Sequence, residues 1–149
     1  MRKFEEVSEE RRKFPGVETR LPERADGGSA GYDFFSKEDI VLPPGEHHLF
    51  WTDVCATMFR DNVLQIYTRS GNGVNKGLTL RNNVGIIDSS YYPNNIGVCL
   101  INTGLLPIEI KVGDKIAQGV FYRYLICDDD KFLLGARAER TGGFGSTGD

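Results

Sequence analysis

The sequence predicts an all-β domain. From Gly27 onward, short apolar runs alternate with Gly, Pro, Asn and Asp at a spacing of roughly eight to twelve residues, the rhythm of a sandwich or barrel. Turn chemistry separates the runs, as in Pro43-Pro44-Gly45 and Val112-Gly113-Asp114. No segment carries helical periodicity over three or more turns.

Nine runs read as strands: Ala30–Phe35, Ile40–Leu42, His47–Val54, Val63–Tyr67, Gly77–Leu80, Gly85–Ile87, Ile96–Ile101, Ile108–Val112 and Lys115–Leu125. Ile108-Glu109-Ile110-Lys111-Val112 alternates cleanly, as a strand with one wet face does. Residues 1–14 are dense in Glu, Lys and Arg, and their pattern suits a short helix, a first strand or an arm equally. A loose tail is expected over 142–149, where glycines surround a single aromatic, Phe144. With no internal repeat and no low-complexity stretch, residues 1–149 read as one domain. Its sheet edges must be covered or paired, which favours an oligomer.

Composition narrows the function. Hydrophobic residues make up 40% and charged residues 26% of the chain, the balance of a soluble globular protein. A net charge of −3 lacks the basic surplus of a general nucleic-acid binder, so no nucleic-acid partner is expected. No apolar stretch reaches the ~20 residues that span a bilayer, and the charged N-terminus has no signal-peptide core, so the expectation is cytoplasmic with no membrane partner. Cys55, Cys99 and Cys127 are too far apart and too few for a disulfide framework, and read as buried thiols of a reducing compartment.

Several short stretches could carry chemistry. In Thr68-Arg69-Ser70-Gly71-Asn72-Gly73, a guanidinium, a hydroxyl and a flexible turn meet at a strand end, a set that matches phosphate oxygens and equally a solvated turn. Asp88 follows two large apolar residues in Gly85-Ile86-Ile87-Asp88. It could serve as a general base or end the strand in an Asx turn. Asp33, inside an apolar strand, could orient a metal-bound water or hold an Arg in a buried pair. Gln118 is a polar group on the strand after Gly113-Asp114. His47 and His48 are neighbours on a strand, point to opposite faces and cannot chelate one ion together, so they read as surface residues. In the tail, glycine N–H groups can approach an anion, and Phe144 offers a face to something flat.

Taken in order, Ala30-Gly31-Tyr32-Asp33, Arg69-Ser70-Gly71, Gly85-Ile86-Ile87-Asp88-Ser89, Gly113-Asp114-Lys115-Ile116-Ala117-Gln118 and Gly142-Gly143-Phe144-Gly145-Ser146-Thr147-Gly148 resemble the five motifs of the trimeric deoxyuridine triphosphatases (dUTPases). The resemblance runs from about Leu21 to the C-terminus. It implies a jelly-roll-like β-clip domain in a homotrimer, with a mobile Gly-rich C-terminal arm. It implies hydrolysis of dUTP to dUMP and pyrophosphate with Mg²⁺, which keeps uracil out of DNA and supplies dUMP for thymidylate synthesis.

The same resemblance implies roles. Asp88 would be the base that activates the attacking water, with Ser70 and Gln118 at the α-phosphate. Arg69 and Gly71 would hold phosphates. Asn82, Gly85 and Ile87 belong to the hairpin that would read uracil, and Tyr91 would pack beneath the deoxyribose. Arg140 would meet the γ-phosphate, Phe144 would stack on the base, and Gly145, Ser146 and Thr147 would add donors. Asp33 would act on Mg²⁺ indirectly, through water. Each site would draw on three subunits, the tail coming from a neighbour. Departures from the family pattern are Thr68, Ser90, the loop Tyr92-Pro93-Asn94-Asn95 and the short spacing from Arg140 to Gly142. Two other readings use the same fold: a trimer that senses dUTP or binds a partner, and a dCTP deaminase.

Overall fold

The computed structural model describes residues 1–132 and 143–144. Among them it is nearly all β. The strands are β1 (Lys3–Glu6), β2 (Glu23–Arg24), β3 (Tyr32–Phe35), β4 (Ile40–Leu42), β5 (His47–Trp51), β6 (Val54–Thr57), β7 (Asn62–Tyr67), β8 (Leu78–Leu80), β9 (Gly85–Asp88), β10 (Gly97–Asn102), β11 (Ile108–Ile110) and β12 (Lys115–Arg123). They form a five-stranded sheet in the order β2-β3-β12-β7-β9, a three-stranded sheet β5-β10-β8, and the pairs β1-β6 and β4-β11. Every pairing is antiparallel.

Alternation explains the inward faces. In β10, Val98, Leu100 and Asn102 are buried while Gly97, Cys99 and Ile101 are only half-buried, the period of two that a pleated strand imposes. β12 breaks that period: Ile116 and Ala117 are consecutive and both buried. Its register with β3 shifts between Lys115 and Ala117, the irregularity that re-aims a side chain. One continuous apolar core draws on all four sheets, through Phe34, Leu64 and Ile116, Phe50 and Leu100, Leu42 and Ile110, and Phe4 and Val54.

The segment before β2 is part of this body. β1 lies along β6 with Phe4 opposite Ala56, and the Phe4 ring meets Phe34 edge-on at 5.6 Å between centroids. A 3-10 turn, Glu9–Arg11, follows. Of the three possibilities left open by the sequence, this region is a strand followed by a short turn.

The run expected as one strand, His47–Val54, is two. Thr52 and Asp53 form a corner between β5 and β6, and Asp53 sits in left-handed backbone at φ 56°. Asp tolerates that conformation better than a bulky residue does. Asp53 is fully buried, and its partners account for that. The N–H of Lys13 donates to its Oδ1 at 2.8 Å and the N–H of Phe14 to its Oδ2 at 3.0 Å. Asn95 Nδ2 donates to Oδ1 at 2.8 Å, and Lys37 Nζ stands 3.2 Å from Oδ2. Burial, the largest single influence, pushes the carboxyl up; the four donors together outweigh it and hold it below its ordinary value.

Other expectations shift at their edges. Ala30–Phe35 begins only at Tyr32, Ile108–Val112 stops at Ile110 where the Lys111–Asp114 turn closes, and Lys115–Leu125 stops at Arg123. The stretch expected as a turn after Arg69 contains a short π-helical turn, Asn72–Lys76, closed by Gly77 at φ 69°. Of the three thiols only Cys55 is buried; Cys99 is half-buried and Cys127 is exposed, because the chain has left β12 for the surface by then. His47 is exposed, whereas half-buried His48 places Nε2 2.6 Å from Glu38 Oε1. Among the described residues, no helix is long and apolar enough to cross a membrane.

Candidate functional site

Two hollows collect six of the residues singled out by the sequence, Asn82, Gly85, Ile87, Tyr91 and Phe144 in one and Arg69 in the other. The first is a cavity of about 140 Å³ lined by Ile66, Leu80, Asn82, Gly85, Ile86, Ile87, Tyr91, Gly97, Cys99, Gly143 and Phe144. Whole small-molecule sites run to ~300–1,000 Å³, so this one suits a ring and part of a sugar, not a triphosphate.

Its geometry comes from the crossing of two sheets. β8 pairs with β10 in one sheet and β9 with β7 in the other, so the turn between β8 and β9 bridges them. That turn is tight: Asn83 N–H donates to Leu80 O at 3.3 Å and Val84 N–H to Asn82 O at 2.7 Å, with Asn83 at φ 63°. Arg81 N–H is tied to Cys99 O at 2.9 Å, which pins the turn to β10. Exposed Asn82 therefore stands at the mouth of an otherwise apolar pocket, with backbone polar groups around it.

Tyr91 forms one wall and is 5% exposed. Its hydroxyl donates to Asn95 O at 2.7 Å, so the phenol is anchored away from the pocket and the ring face is left for packing. Phe144 lies in the same hollow, edge-on to Trp51 with centroids 6.1 Å apart. Two glycines make this closeness possible. A Cβ on Gly143 would come within 2.9 Å of Tyr91 Cε2, and one on Gly97 within 3.1 Å of Trp51 Cζ3 and 3.2 Å of Phe144 Cε2.

Asp88 ends β9, between Ile87 and the 3-10 turn Ser89–Tyr91. It is half-buried, and its Oδ1 accepts from Ser90 N–H at 3.0 Å and from Ser90 Oγ at 2.6 Å. The turn therefore fixes the carboxylate directly after Ile87, which lines the pocket, while Asp88 is not itself among the lining residues. Its charge also reaches Tyr124, whose hydroxyl is pushed up by burial first and by Asp88 and Asp61 after it.

The second hollow is cationic. About 250 Å³ in volume, it is lined by Arg69, Lys76 and Lys115 together with Asn72, Asp114, Glu109 and apolar neighbours. Asp33, 5% exposed, organises its bases: Arg69 Nε donates to its Oδ1 at 2.8 Å and Lys115 Nζ to its Oδ2 at 2.7 Å. Asn72 Nδ2 donates to Lys115 O at 3.0 Å, which ties the π-helical turn to β12. Gln118 sits opposite Asp33 and Tyr67 on the neighbouring strands, and its amide donates to Thr68 O at 3.2 Å. Ser70 and Gly71, at the exposed start of the helical turn, follow Arg69 directly.

Among the described residues, none lines both hollows. One chain thus gathers Asn82, Gly85, Ile87, Tyr91 and Phe144 around a ring-sized pocket, with Asp88 at its rim in sequence. It gathers Asp33, Arg69 and Gln118 elsewhere. Arg140, Gly145, Ser146 and Thr147 lie outside the described residues. The tail was expected to serve a neighbouring chain; in this single chain Phe144 lies in its own chain's pocket.

The sequence reading missed Trp51, Gly97 and Cys99 around the pocket and Lys115 on Asp33. Trp51 had a signal, as the sole tryptophan, and Lys115 lies within a motif already singled out. Cys99 had none: in the strand pattern it is one more small apolar residue.

Among the described residues no three His, Cys, Asp or Glu side chains converge to hold a metal ion. Asp33 already faces two cationic groups. That donor set suits an ion carried by a polyphosphate and water, the arrangement Mg²⁺ prefers, and not a protein cage.

Comparison with known proteins identifies the family of the chain. The family model described as dUTPase matches residues 18–148. The deoxyuridine 5'-triphosphate nucleotidohydrolase of Lactococcus lactis subsp. lactis (strain IL1403) is 39% identical over 153 residues, which cover 99% of this chain and 98% of that protein. The crystal structure of the dUTPase from Streptococcus mutans superposes with a TM-score of 0.72 at 32% identity, covering 84% of this chain and 98% of that one. A mutant dUTPase of Staphylococcus bacteriophage 80alpha, solved with dUpNHpp, gives a TM-score of 0.73 at 25% identity and covers 100% of this chain and 99% of that one.

Proposed function

The chain belongs to the dUTPase family, and from that premise we propose that it hydrolyses dUTP to dUMP and pyrophosphate in sites completed between copies of the chain. The observation that carries this is the division of labour between the two hollows. Among the described residues, a pocket the size of a base lies in one, three cationic side chains line the other, and none belongs to both. A substrate with a flat base and a triphosphate needs both chemistries at once. A homotrimer, in which one chain's cationic hollow faces a neighbour's pocket, meets that need.

In this reading the turn from Leu80 to Gly85 reads the uracil edge with backbone groups and Asn82. Cytosine is refused because its exocyclic amine leaves those groups unpaired. The apolar walls alone would discriminate a thymine methyl by only ~1–3 kcal/mol, so the rigidity of the turn has to supply the rest. The Tyr91 ring packs on the deoxyribose and leaves no room for a 2′-hydroxyl.

Arg69, Ser70, Gly71 and Gln118 position the phosphates, with Arg140, Gly145, Ser146 and Thr147 adding donors from the tail. Asp88 accepts a proton from water as the water oxygen bonds to the α-phosphorus. The bond from that phosphorus to the α–β bridging oxygen breaks, and pyrophosphate leaves with the bond's electron pair. Mg²⁺ carried on the phosphates would supply charge neutralisation, with Asp33 acting on it only indirectly, through water. Phosphoryl transfer draws mainly on such positioning and electrostatics. Phe144, at the pocket, closes over the base and excludes bulk water.

The test is pyrophosphate release with Mg²⁺ from dUTP, dTTP, dCTP and UTP side by side. Release from dUTP alone is the expected result. Ammonia released from dCTP would indicate a deaminase, and dUTP binding without turnover would indicate a sensing trimer; either sinks the reading.

A further inference from the structure

The family match begins at residue 18, yet the segment before it is wired into the pocket wall. Val7 N–H donates to Asp53 O at 3.0 Å, and Lys13 and Phe14 N–H groups donate to the Asp53 carboxylate. Asn95 is held on three sides. Asp53 N–H donates to its Oδ1 at 2.9 Å, and its Nδ2 donates to Asp53 Oδ1 at 2.8 Å and to Arg11 O at 3.1 Å. Arg11 Nη1 also donates to Asn94 Oδ1 at 3.1 Å. The backbone carbonyl of that same Asn95 receives the Tyr91 hydroxyl. On the other side of the pocket, Lys13 Nζ stands 5.6 Å from the centroid of Trp51, the ring against which Phe144 packs.

We infer that residues 7–14 are a positioning element for the nucleoside pocket, acting through Asp53 and Asn95 on the Tyr91 ring and through Lys13 on Trp51. Asn95 and Arg11 are then positioning residues: neither lines the pocket, and both set where its walls stand. The physical reason is rotamer and backbone restraint. A carbonyl fixed by three side-chain hydrogen bonds holds the phenol in one place, and a wall placed to that tolerance can refuse a single added hydroxyl. If the carbonyl wanders, the ring yields and the discrimination falls. This rests on the function proposed above, because Tyr91 faces a sugar only if the pocket holds a nucleotide.

The experiment compares kcat/KM for dUTP and for UTP in the unmodified protein, Asn95→Ala and Arg11→Ala, with melting temperature and circular dichroism recorded for each. The unmodified protein must first prefer dUTP; if it does not, the functional reading falls, and that is seen before any variant is compared. The expected result is a roughly tenfold loss of the dUTP-over-UTP ratio in Asn95→Ala and a smaller loss in Arg11→Ala, in folded proteins. A purely structural role would lower stability and leave the ratio alone. Arg11 is exposed, so its variant keeps the question open to refutation if Asn95→Ala does not fold. An unchanged ratio in folded Asn95→Ala overturns the inference, and if that variant does not fold, so does an unchanged ratio in a folded double variant, Arg11→Ala with Lys13→Ala, which removes the bond to Asn94 and the contact on Trp51.

Discussion

Replacing Asp53 by Ala removes the acceptor for two backbone N–H groups and for Asn95, and leaves Lys37 buried. Lys37 is 4% exposed and keeps only neutral acceptors, Val17 O at 2.8 Å and Thr19 Oγ1 at 2.7 Å, among its named partners. Removing one member of a buried pair and stranding the other charge costs about 3–5 kcal/mol. The reverse change, Lys37→Met, is milder. It fills the channel with an apolar stem and leaves the carboxylate with its three other donors, so the main loss is the charge-assisted bond to Asp53, about 1.5–3 kcal/mol, with Val17 O and Thr19 Oγ1 each losing a donor as well. For a chain of this length each kcal/mol moves the melting temperature by about 2–4 °C. The expected drops are therefore ~6–20 °C for Asp53→Ala and ~3–12 °C for Lys37→Met. Both should be read by thermal and urea unfolding at one chain concentration, because an oligomer's stability varies with concentration. The pH dependence follows from the lowered carboxyl. Its contribution is fully present above the ordinary carboxylate value, about 4, and is lost as pH falls through the lower folded value. The gap between unmodified protein and Asp53→Ala should be flat above pH ~4 and narrow below it. A Lys37→Met variant less stable than Asp53→Ala, or a gap that widens in acid, would refute the reasoning.

Other outcomes follow from the site. Asp88→Asn should retain dUTP binding by calorimetry and lose about 10²–10⁴ in kcat, the range of a positioned base; near-normal turnover would remove Asp88 from that role. Gly143→Val would drive a branched side chain into the Tyr91 ring, where a Cβ already has only 2.9 Å. Overpacking of that kind costs ~1–3 kcal/mol, so kcat/KM for dUTP should fall by about five- to 150-fold, read beside the melting temperature. A thiol reagent at neutral pH should label Cys127 quickly and the other two slowly, because burial pushes both Cys55 and Cys99 up, Glu5 adding to it at Cys55 and Arg81 opposing it at Cys99. The slow reaction at Cys99 should slow further with dUpNHpp present, as read by mass spectrometry of labelled peptides.

The strands that the sequence made legible are those in which packing follows the pleat. β4 matched its expected bounds, β7 differed by one residue at its start and β10 by one residue at each end, since alternation and flanking turns determine them. The split of His47–Val54 was hidden because only two residues, Thr52 and Asp53, interrupt the apolar run, and the reason for Asp53 being there, Lys37 and the N–H groups of Lys13 and Phe14, lies far off in sequence. β1 could not be distinguished from a helix because a four-residue strand with one buried position, Phe4, has no period to read. The π-helical turn is five residues long, shorter than any periodic signature. At the site, motif order brought out the residues of both hollows. What it could not convey was distribution in space. The bond from Arg69 to Asp33 spans 36 positions, and nothing local announces that Lys115 completes it.

The separation of the two hollows within a chain has a genetic consequence. A chain carrying Asp88→Asn still offers an intact cationic hollow, and one carrying Arg69→Ala still offers an intact base pocket. If each working centre takes one hollow from each of two neighbours, co-assembly of these two dead proteins regenerates some undamaged centres. Two null alleles expressed together would then complement, whereas two alleles damaged in the same hollow would not. On that arrangement a catalytic defect is rescued only by a second defect that strikes the other hollow.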